Sequence, residues 1–335
     1  MLGAGSWGTA LSILLARNGH EVVLWGRDSE EIAAMRSVRE NLHYLPGFAL
    51  PDEISPTTSL DRQTGFDLWV MAVPSPAVRE AARQIVGESP LVVVASKGLE
   101  PGSGHLLEAV VKDVVPDARL AVLSGPNLAV EIVRGVPTAA VAAAKAEEDA
   151  ETVRVAFTCR TFRVYVSQDV IGISIAGALK NVLALAGGVS DGLGFGDNTK
   201  GALLARGLRE MILVGLAMGG KIESFIGIAG VGDLFATASS QLSRNYRVGR
   251  MLGEGKTLRA ALDSIGQVAE GAETAESVLR LAKQLDVQVP VFEATARVIS
   301  GALKPFDAVG MLMERMTRTE GIVTTEVCHP DNPTP

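Results

Sequence analysis

The chain has 335 residues, of which 47% are hydrophobic and only 4% aromatic. Its 31 lysines and arginines and 38 aspartates and glutamates give a net charge of −7 at pH 7. This length is sufficient for two domains with large cores. The acidic balance and the lack of a long basic run argue against a nucleic-acid partner.

The cysteine content points to a reducing compartment. Cys159 and Cys328 are the two cysteines, their separation has no metal-ligand spacing, and no signal peptide precedes the first motif. We therefore expect a cytoplasmic protein with no bound metal.

A glycine-rich turn opens the chain. Gly3, Gly5 and Gly8 form a Gly-x-Gly-x-x-Gly pattern, which is followed by a helical apolar pattern over 9–16 and an apolar run over 21–25. In a dinucleotide-binding strand–helix–strand unit, the first glycine makes the tight turn, the second admits a pyrophosphate and the third lets the helix pack on the strand. Amides at the helix N-terminus then face the phosphates. The pattern predicts a Rossmann-like domain with its cofactor at these glycines.

The strand that should precede this turn is short. Only Met1 and Leu2 come before Gly3, whereas a strand has about five or six residues. Because this strand lies at mid-sheet in the usual order, we expect a truncated first strand that leaves both neighbours without hydrogen-bond partners. We also expect that native residues upstream of Met1 complete it.

Short apolar runs alternate with helical patterns through the first half of the chain, as a mostly parallel α/β sheet requires. After 21–25 these runs lie at 67–73, 91–95, 120–123, 138–143 and 162–166. Ligands bind beyond the carboxyl ends of the strands in such sheets. The turn-rich loops at 74–76, 96–98 and 124–127 are therefore expected to face cofactor and substrate.

The pattern changes after Ser167 to long helical periodicity. We predict a dinucleotide-binding domain over 1–167, an all-helical substrate-binding domain over 168–322 and a disordered tail over 323–335, where large apolar side chains are few. Ser167 or Asp169 is expected to cap the first helix of the second domain.

The stretch 170–189 is apolar and long enough to cross a bilayer. Lys180 and Asn181 lie at its centre, where an ionisable residue costs about 2.5 to 3.5 kcal/mol on insertion scales. Gly187 and Gly188 weaken a helix further. We interpret this stretch as a buried helix of a soluble protein that has no membrane span.

Lys180 is the leading catalytic candidate. An unpaired ammonium is costly to bury, so we expect either a lowered pKa or a partner. The alternative is a lysine that snorkels to the surface, but Asn181 adds a second polar group to the same apolar helix. A lysine of lowered pKa can exchange a proton at an alcohol or ketone while a nicotinamide exchanges the hydride.

Polar residues further along the chain are candidates that also have structural interpretations. Asp233 either caps a helix or pairs with Lys180 or a substrate hydroxyl. Ser243, Arg244 and Asn245 precede a helical pattern, where amides, helix dipole and guanidinium suit an anion. A solvated surface arginine is the alternative.

Lys97 follows a predicted buried strand. It is either a surface residue at the strand end or a contact to substrate oxygen or phosphate. The histidines lie in turn-rich or terminal contexts and are interpreted as structural: His20, His43, His105 and His329.

Taken together, these motifs resemble the bacterial, nicotinamide-dependent glycerol-3-phosphate dehydrogenases. The matching segments occur in family order and are 3–10, 41–51, 96–98, 125–126, 178–181, 232–234, 243–245 and 270–271. The resemblance implies a reversible reduction of dihydroxyacetone phosphate to sn-glycerol 3-phosphate that supplies phospholipid synthesis.

The resemblance also implies roles for individual residues. Lys180 is implied as the proton acceptor, and the other catalytic candidates are Asp233, Lys97 and Asn181. Residues implied to bind substrate are Lys97, Gly125, Asn127, Lys180, Asp233, Ser243, Arg244 and Asn245. Residues implied to bind cofactor are Gly3, Gly5, Ser6, Trp7, Gly8, Arg27, Lys97, Ala129, Arg244 and Glu270. Asn127 and Leu128 depart from the family, which usually has serine or threonine and then phenylalanine there.

The cofactor depends on two adjacent residues after the run at 21–25. An acidic residue there bonds the ribose hydroxyls of NAD, whereas an arginine accommodates the 2′-phosphate of NADP. Arg27 and Asp28 stand side by side. The resemblance favours Arg27 at the ribose, and therefore NADPH, with NADH also used.

Two other functions stay open. A related β-hydroxyacid-type reductase is disfavoured by the phosphate site that Ser243, Arg244 and Asn245 imply. A non-catalytic cofactor-sensing protein has no need of a buried Lys180. We expect a small-molecule substrate as the partner, and a homodimer is compatible with the sequence.

Overall fold

The computed structural model describes residues 1–60, 65–266 and 268–314. They form two compact units. Unit 1 comprises Met1–Glu100 and His105–Ser174, and unit 2 comprises Pro101–Gly104 and the residues from Ile175 onward. The predicted disordered tail, 323–335, lies outside the described residues.

Unit 1 is built on a mostly parallel sheet, as predicted. The strands of the unit are β1 (Val22–Trp25), β2 (Glu40–Asn41), β3 (Leu45–Ala49), β4 (Ile54–Thr57), β5 (Trp69–Met71), β6 (Leu91–Val94), β7 (Arg119–Ser124), β8 (Thr138–Ala144) and β9 (Phe162–Ser167). Strand pairs β1–β4, β5–β6, β6–β7 and β8–β9 are parallel, and β7–β8 is antiparallel. All four residues of β6 are buried, which is typical of a parallel strand covered on both faces.

Leu2 fills the centre of this sheet. It forms parallel bridges to Trp25 on one side and Met71 on the other. The N–H and C=O of Leu2 make bonds of 2.7 and 2.8 Å toward the strand of Met71, while the C=O of Met1 and the N–H of Gly3 each bond Trp25 at 2.9 Å. The first strand is thus reduced to one bridged residue. The expectation that both neighbours lack partners is wrong here, because Leu2 bonds the strand of Met71 while Met1 and Gly3 bond Trp25.

Three strands were not predicted from the sequence. β2 and β3 form an antiparallel hairpin, and β4 adds a parallel edge to β1. They are two to five residues long, and Pro46 and Pro56 lie within β3 and β4. Proline is depleted in strands and confined to edges or irregular positions, so the sequence pattern did not reveal them.

Six helices pack with the sheet of unit 1: α1 (Ser6–Arg17), α2 (Ser29–Val38), α3 (Val78–Ala82), α4 (Leu107–Val114), α5 (Ala129–Val133) and α6 (Glu147–Phe157). Helix α1 is buried along nearly its whole length from Gly8 to Ala16. The apolar side chains of α1 pack in one core with those of β1, β6 and β8, which fixes the helix that follows the glycine turn.

Unit 2 is helical, and its described residues contain no strand. Its helices are α7 (Val170–Gly192), whose first turn belongs to unit 1, α8 (Asp197–Ala217), α9 (Ile222–Ile226), α10 (Asp233–Ala238), α11 (Arg244–Gly253), α12 (Leu258–Ile265), α13 (Glu270–Gln284), α14 (Pro290–Ile299) and α15 (Pro305–Met313). Asp169 caps α7 by accepting from the N–H of Gly172 at 2.9 Å. Ser167 instead accepts from the N–H of Asp169 at 3.1 Å.

Helix α7 is the apolar stretch that could be taken for a membrane span. Among the described residues it is the one helix that passes a length and hydropathy test, and 89% of its apolar window is buried inside the protein. Glycines of α7 and α11 have a packing role. A Cβ on Gly188 would overlap the carbonyl of Tyr246, and a Cβ on Gly249 would overlap that of Leu185. These glycines therefore let the backbones of α7 and α11 touch.

Candidate active site

The glycine turn of unit 1 has the geometry of a phosphate cradle. Gly3 has φ +114°, and a Cβ there would lie 2.6 Å from the carbonyl oxygen of Ala72. A Cβ on Gly8 would overlap the carbonyl oxygen of Gly3, whereas one on Gly5 would meet nothing within 4 Å. The first and third glycines thus permit close packing, and the middle one leaves open space.

Helix α1 begins beside this open space. Its N-cap is Gly5, which supplies no side chain to bond the first amides. The first N–H groups of a helix have no acceptor within the helix, and together with the helix dipole they attract anions. The turn and the uncapped helix start therefore fit the pyrophosphate of a dinucleotide.

Ser6 and Trp7 extend from this helix start to neighbouring loops. The hydroxyl of Ser6 donates to the carbonyl of Tyr44 at 2.7 Å, and the indole N–H of Trp7 donates to the carbonyl of Ala95 at 3.1 Å. Both side chains are partly buried. They hold the start of α1 against the loops after β2 and β6.

Arg27 and Asp28 have different surroundings at the end of β1. Asp28 is the N-cap of α2, and its carboxylate accepts from the N–H groups of Glu30 and Glu31, both at 2.9 Å. Arg27 is exposed just before it. Of the two candidates for contact with the ribose, Asp28 is thus engaged in capping, and the guanidinium of Arg27 is exposed.

Lys97, Gly125 and Asn127 lie in the loops that follow β6 and β7. The ammonium of Lys97 donates to the carbonyl of Gly125 at 2.8 Å. Gly125 has φ +143°, and a Cβ there would lie 2.9 Å from the Cα of Ala140. Both polar side-chain atoms of Asn127 are buried and have no hydrogen-bond partner among the described residues. Such orphaned polar atoms are expected at a ligand site.

The remaining cofactor candidates stand at helix starts. Ala129 is the first residue of α5 in unit 1, and Glu270 is the first residue of α13 in unit 2. Neither helix has a side-chain cap at its N-cap residue, which is Leu128 for α5 and Ala269 for α13.

Lys180, Asp233 and Thr237 form a buried cluster in unit 2. The ammonium of Lys180 lies 3.0 Å from Oδ1 of Asp233, and it donates to the Thr237 hydroxyl at 2.7 Å. That hydroxyl in turn donates to the same Asp233 oxygen at 3.0 Å. The side chains of Lys180 and Asp233 are 7% and 1% exposed. The structure therefore supplies the partner that the sequence required for a buried lysine.

Asp233 is a helical residue and not an N-cap. A π-helical turn, Ile228–Gly232, leads directly into α10, whose N-cap is Gly232. Such turns are frequent at functional sites. The interpretation of Asp233 as the N-cap of a helix is therefore wrong.

Asn181 lies next to Lys180 and belongs to a second polar chain. The Asn245 amide donates to Oδ1 of Asn181 at 3.0 Å and accepts from the N–H of Gly271, also at 3.0 Å. Both asparagines are buried. This chain links α7 to the first turns of α11 and α13.

Ser243 and Arg244 stand at the start of α11. Ser243 is the N-cap and accepts from the N–H of Tyr246 at 3.2 Å. Arg244 is the first helical residue and is half-buried. A capped helix start next to a guanidinium provides the donors that a phosphate needs.

Two residues of these clusters were not predicted from the sequence. Thr237 joins Lys180 to Asp233, and its position four residues after Asp233 on one helix face was the available signal. Asn41 is buried and donates to the carbonyl of Ala4 in the glycine turn at 2.9 Å. No local pattern shows that contact, because 37 residues separate the two.

The described residues contain no cluster of three or more histidines, cysteines, aspartates or glutamates able to hold a metal. The donors at the two candidate sites are backbone amides, ammonium and guanidinium groups, and side-chain amides, which suit anions and carbonyl oxygens. The chemistry of these groups is that of binding and proton exchange.

Comparison with known proteins gives consistent matches. Residues 1–150 match the model of the NAD-dependent glycerol-3-phosphate dehydrogenase N-terminus, and residues 169–310 match that of the C-terminus. A glycerol-3-phosphate dehydrogenase [NAD(P)+] of Moorella thermoacetica is 45% identical over 319 residues, which cover 94% of this chain and 95% of that protein.

Solved structures agree. The crystal structure of glycerol-3-phosphate dehydrogenase from Coxiella burnetii has a TM-score of 0.90 and 36% identity, covering 93% of this chain and 97% of that one. A PanE/ApbA family ketopantoate reductase from Ralstonia eutropha has a TM-score of 0.58 at 18% identity, covering 92% of this chain and 98% of that one. At that identity the second likeness concerns the fold alone.

Proposed function

The chain belongs to the NAD-dependent glycerol-3-phosphate dehydrogenase family, and we propose that it interconverts dihydroxyacetone phosphate and sn-glycerol 3-phosphate with a nicotinamide dinucleotide. The single observation that carries the catalytic assignment is the buried Lys180–Asp233 pair, 3.0 Å apart. A protein that only sensed the cofactor would not need an ammonium inside an apolar helix, where burial is costly.

Unit 1 binds the dinucleotide in this proposal. The amides of Gly5, Ser6 and Trp7 hold the pyrophosphate, since α1 starts there without a side-chain cap. Arg27 bonds the 2′-phosphate of NADPH, because Asp28 is already engaged as the cap of α2. The bound reduced nicotinamide supplies a hydride to C2 of the substrate.

Lys180 exchanges the proton. In the reducing direction its ammonium donates a proton to the C2 oxygen as that oxygen gains charge, and in the oxidising direction the amine takes the proton back. Asp233 and Thr237 orient the lysine through their bonds of 3.0 and 2.7 Å. Arg244 and the first amides of α11 hold the substrate phosphate.

Lys97 and Asn127 bind substrate oxygens in this account. Asn127 offers a donor and an acceptor that no group in the described part of the chain uses. The product is a glycerol phosphate, the backbone of glycerophospholipids, so we assign the enzyme to supply of lipid synthesis in the cytoplasm.

A substrate panel tests the proposal. Purified protein is mixed with NADPH, and the absorbance of the reduced nicotinamide is followed with dihydroxyacetone phosphate, dihydroxyacetone or ketopantoate. We expect rapid oxidation of NADPH with dihydroxyacetone phosphate and not with the other two ketones. Turnover with ketopantoate alone would favour the related reductase. Cofactor binding without turnover of any of the three would favour a sensor.

A further inference from the structure

Asn41 joins the glycine turn to the hairpin that follows α2. Its side-chain amide donates to the carbonyl of Ala4 at 2.9 Å and to the hydroxyl of Thr9 at 2.8 Å. Its oxygen accepts from the N–H of Tyr44 at 3.0 Å. The residue is 1% exposed. Both amide hydrogens and the carbonyl oxygen are therefore used, and the side chain has a single orientation.

The bond to Ala4 controls the direction of a second group. The described residues contain no cis peptide, and in a trans peptide the C=O and the following N–H point in opposite directions. Holding the Ala4 carbonyl toward Asn41 therefore directs the Gly5 N–H away from it. No acceptor for that N–H exists among the described residues, and the surroundings of Gly5 are open.

A second contact holds the same loop from the other side. The Ser6 hydroxyl donates to the carbonyl of Tyr44 at 2.7 Å, while Asn41 bonds the N–H of Tyr44. The turn at 41–44 is thus bonded to Ala4 and to Ser6, the residues on either side of Gly5. This arrangement is stiff, because a rotation of the peptide would break the buried bond to Asn41 and leave a polar group unpaired.

We propose that Asn41 is a positioning residue that aims the Gly5 N–H at the pyrophosphate of the dinucleotide. Asn41 itself does not touch the cofactor. Without it the Ala4–Gly5 peptide gains freedom to rotate and to present a carbonyl oxygen, which repels a phosphate. The inference rests on the proposed dinucleotide binding, and it concerns affinity for the pyrophosphate and not the proton transfer.

The test compares two ligands that share adenine and a 2′-phosphate. NADPH contains the pyrophosphate and adenosine 2′-monophosphate does not. We expect Asn41→Leu and Asn41→Ala to weaken NADPH binding about 10- to 150-fold, the range for hydrogen bonds to a charged group. Binding of adenosine 2′-monophosphate should change by less than about threefold, because its contacts lie elsewhere.

Asn18→Leu is the matched control. The Asn18 amide also donates to two carbonyls of unit 1, those of Ala156 and Thr158, at 2.9 and 3.3 Å. It lies at the far end of α1 from the glycine turn. This variant should lose thermal stability comparably and keep its NADPH affinity. Equal losses for both ligands, or NADPH affinity in the Asn41 variants equal to that of Asn18→Leu, would overturn the inference.

A measurement on the wild-type protein covers the case in which neither Asn41 variant folds. With glycine labelled by ¹⁵N, the Gly5 amide resonance should shift on saturation with NADPH and with inorganic pyrophosphate. An unmoved Gly5 resonance in the NADPH complex overturns the inference. If the wild-type protein bound no NADPH at all, the proposed function itself would fail.

Discussion

The ammonium of Lys180 lies 3.0 Å from the carboxylate of Asp233, and the two side chains are 7% and 1% exposed. A buried ion pair is stable only when further hydrogen bonds satisfy it. Thr237 provides them by bonding both partners, at 2.7 and 3.0 Å. The pair therefore keeps a proton-carrying group inside an apolar helix, and this is the observation on which the proposed catalytic role rests.

Replacing Lys180 should abolish the chemistry without abolishing cofactor binding. We expect Lys180→Ala to reduce kcat by about 10²- to 10⁴-fold, the usual range for a lost general acid or base. It also breaks a buried ion pair, which costs about 3 to 5 kcal/mol of stability, so rates are compared below the melting temperature.

Lys200→Met is the control for that variant. Lys200 is 18% exposed and pairs with Asp191 at 2.9 Å, away from the Asp233 cluster. It should lose stability and retain kcat within about threefold, since no proton transfer involves it. Retention of more than about a tenth of wild-type turnover by Lys180→Ala would remove Lys180 from the mechanism.

Arg244 should act through the substrate phosphate. Arg244→Ala is expected to lose about 1.5 to 3 kcal/mol of charge-assisted bonding, or roughly 10- to 150-fold in kcat/KM. Arg247→Ala on the exposed face of the same helix is the control and should have little effect. The defect at Arg244 should shrink with dihydroxyacetone. An equal loss with that phosphate-free ketone would show that the phosphate assignment is wrong.

Arg27 should set the cofactor preference. Arg27→Asp is expected to shift the kcat/KM ratio from NADPH toward NADH, because a carboxylate bonds ribose hydroxyls but repels a 2′-phosphate. Asp28→Ala removes the cap of α2 and should lower stability by about 1 kcal/mol without changing that ratio. A ratio unchanged in Arg27→Asp and altered in Asp28→Ala would assign ribose recognition to Asp28.

Glu108 should make stability depend on pH. Burial raises the pKa of its carboxyl from 4.5 to about 7. Between these values the folded state binds more protons than the unfolded chain, so the free energy of unfolding falls as pH rises and levels off above the folded pKa. A shift of this size corresponds to a free energy on the order of 3 to 4 kcal/mol.

Glu108→Gln removes the cost of ionising a buried carboxyl group. Its melting temperature relative to wild type should rise between about pH 5 and pH 8, since glutamine needs no proton to be neutral. Glu148→Gln, at an exposed position, should show no such trend. A constant difference between Glu108→Gln and wild type across this range would contradict the assignment.

The sequence predicted the features that local residue order determines. The Gly3–Gly8 spacing, the apolar runs that became β1 and β5–β9, and a cap at Ser167 or Asp169, of which the structure uses Asp169, are all short-range patterns. A charge inside an apolar helix is also visible in the chain itself, and it made Lys180 a candidate for burial, although a lysine that snorkels to the surface stayed open. These are positions where local propensity and tertiary structure agree.

The rest depends on contacts between distant segments. The bond that Lys180 donates to Thr237 joins residues 57 apart. Leu2 likewise forms bridges to Trp25 of β1 on one side and Met71 of β5 on the other. The strands β2–β4 are stabilised by pairing and not by propensity. The sequence did not show whether Arg27 or Asp28 is available to a ligand. That depends on the start of α2, where the Asp28 carboxylate accepts a cap bond.

The most direct test of the central claim is the reverse reaction on the two enantiomers of glycerol phosphate. The protein is incubated with NADP⁺ or NAD⁺ and either sn-glycerol 3-phosphate or sn-glycerol 1-phosphate, and formation of the reduced nicotinamide is measured. We predict reduction with the sn-3 enantiomer, with dihydroxyacetone phosphate as the product, and none with the sn-1 enantiomer. No reduction with sn-glycerol 3-phosphate and either cofactor would contradict the account.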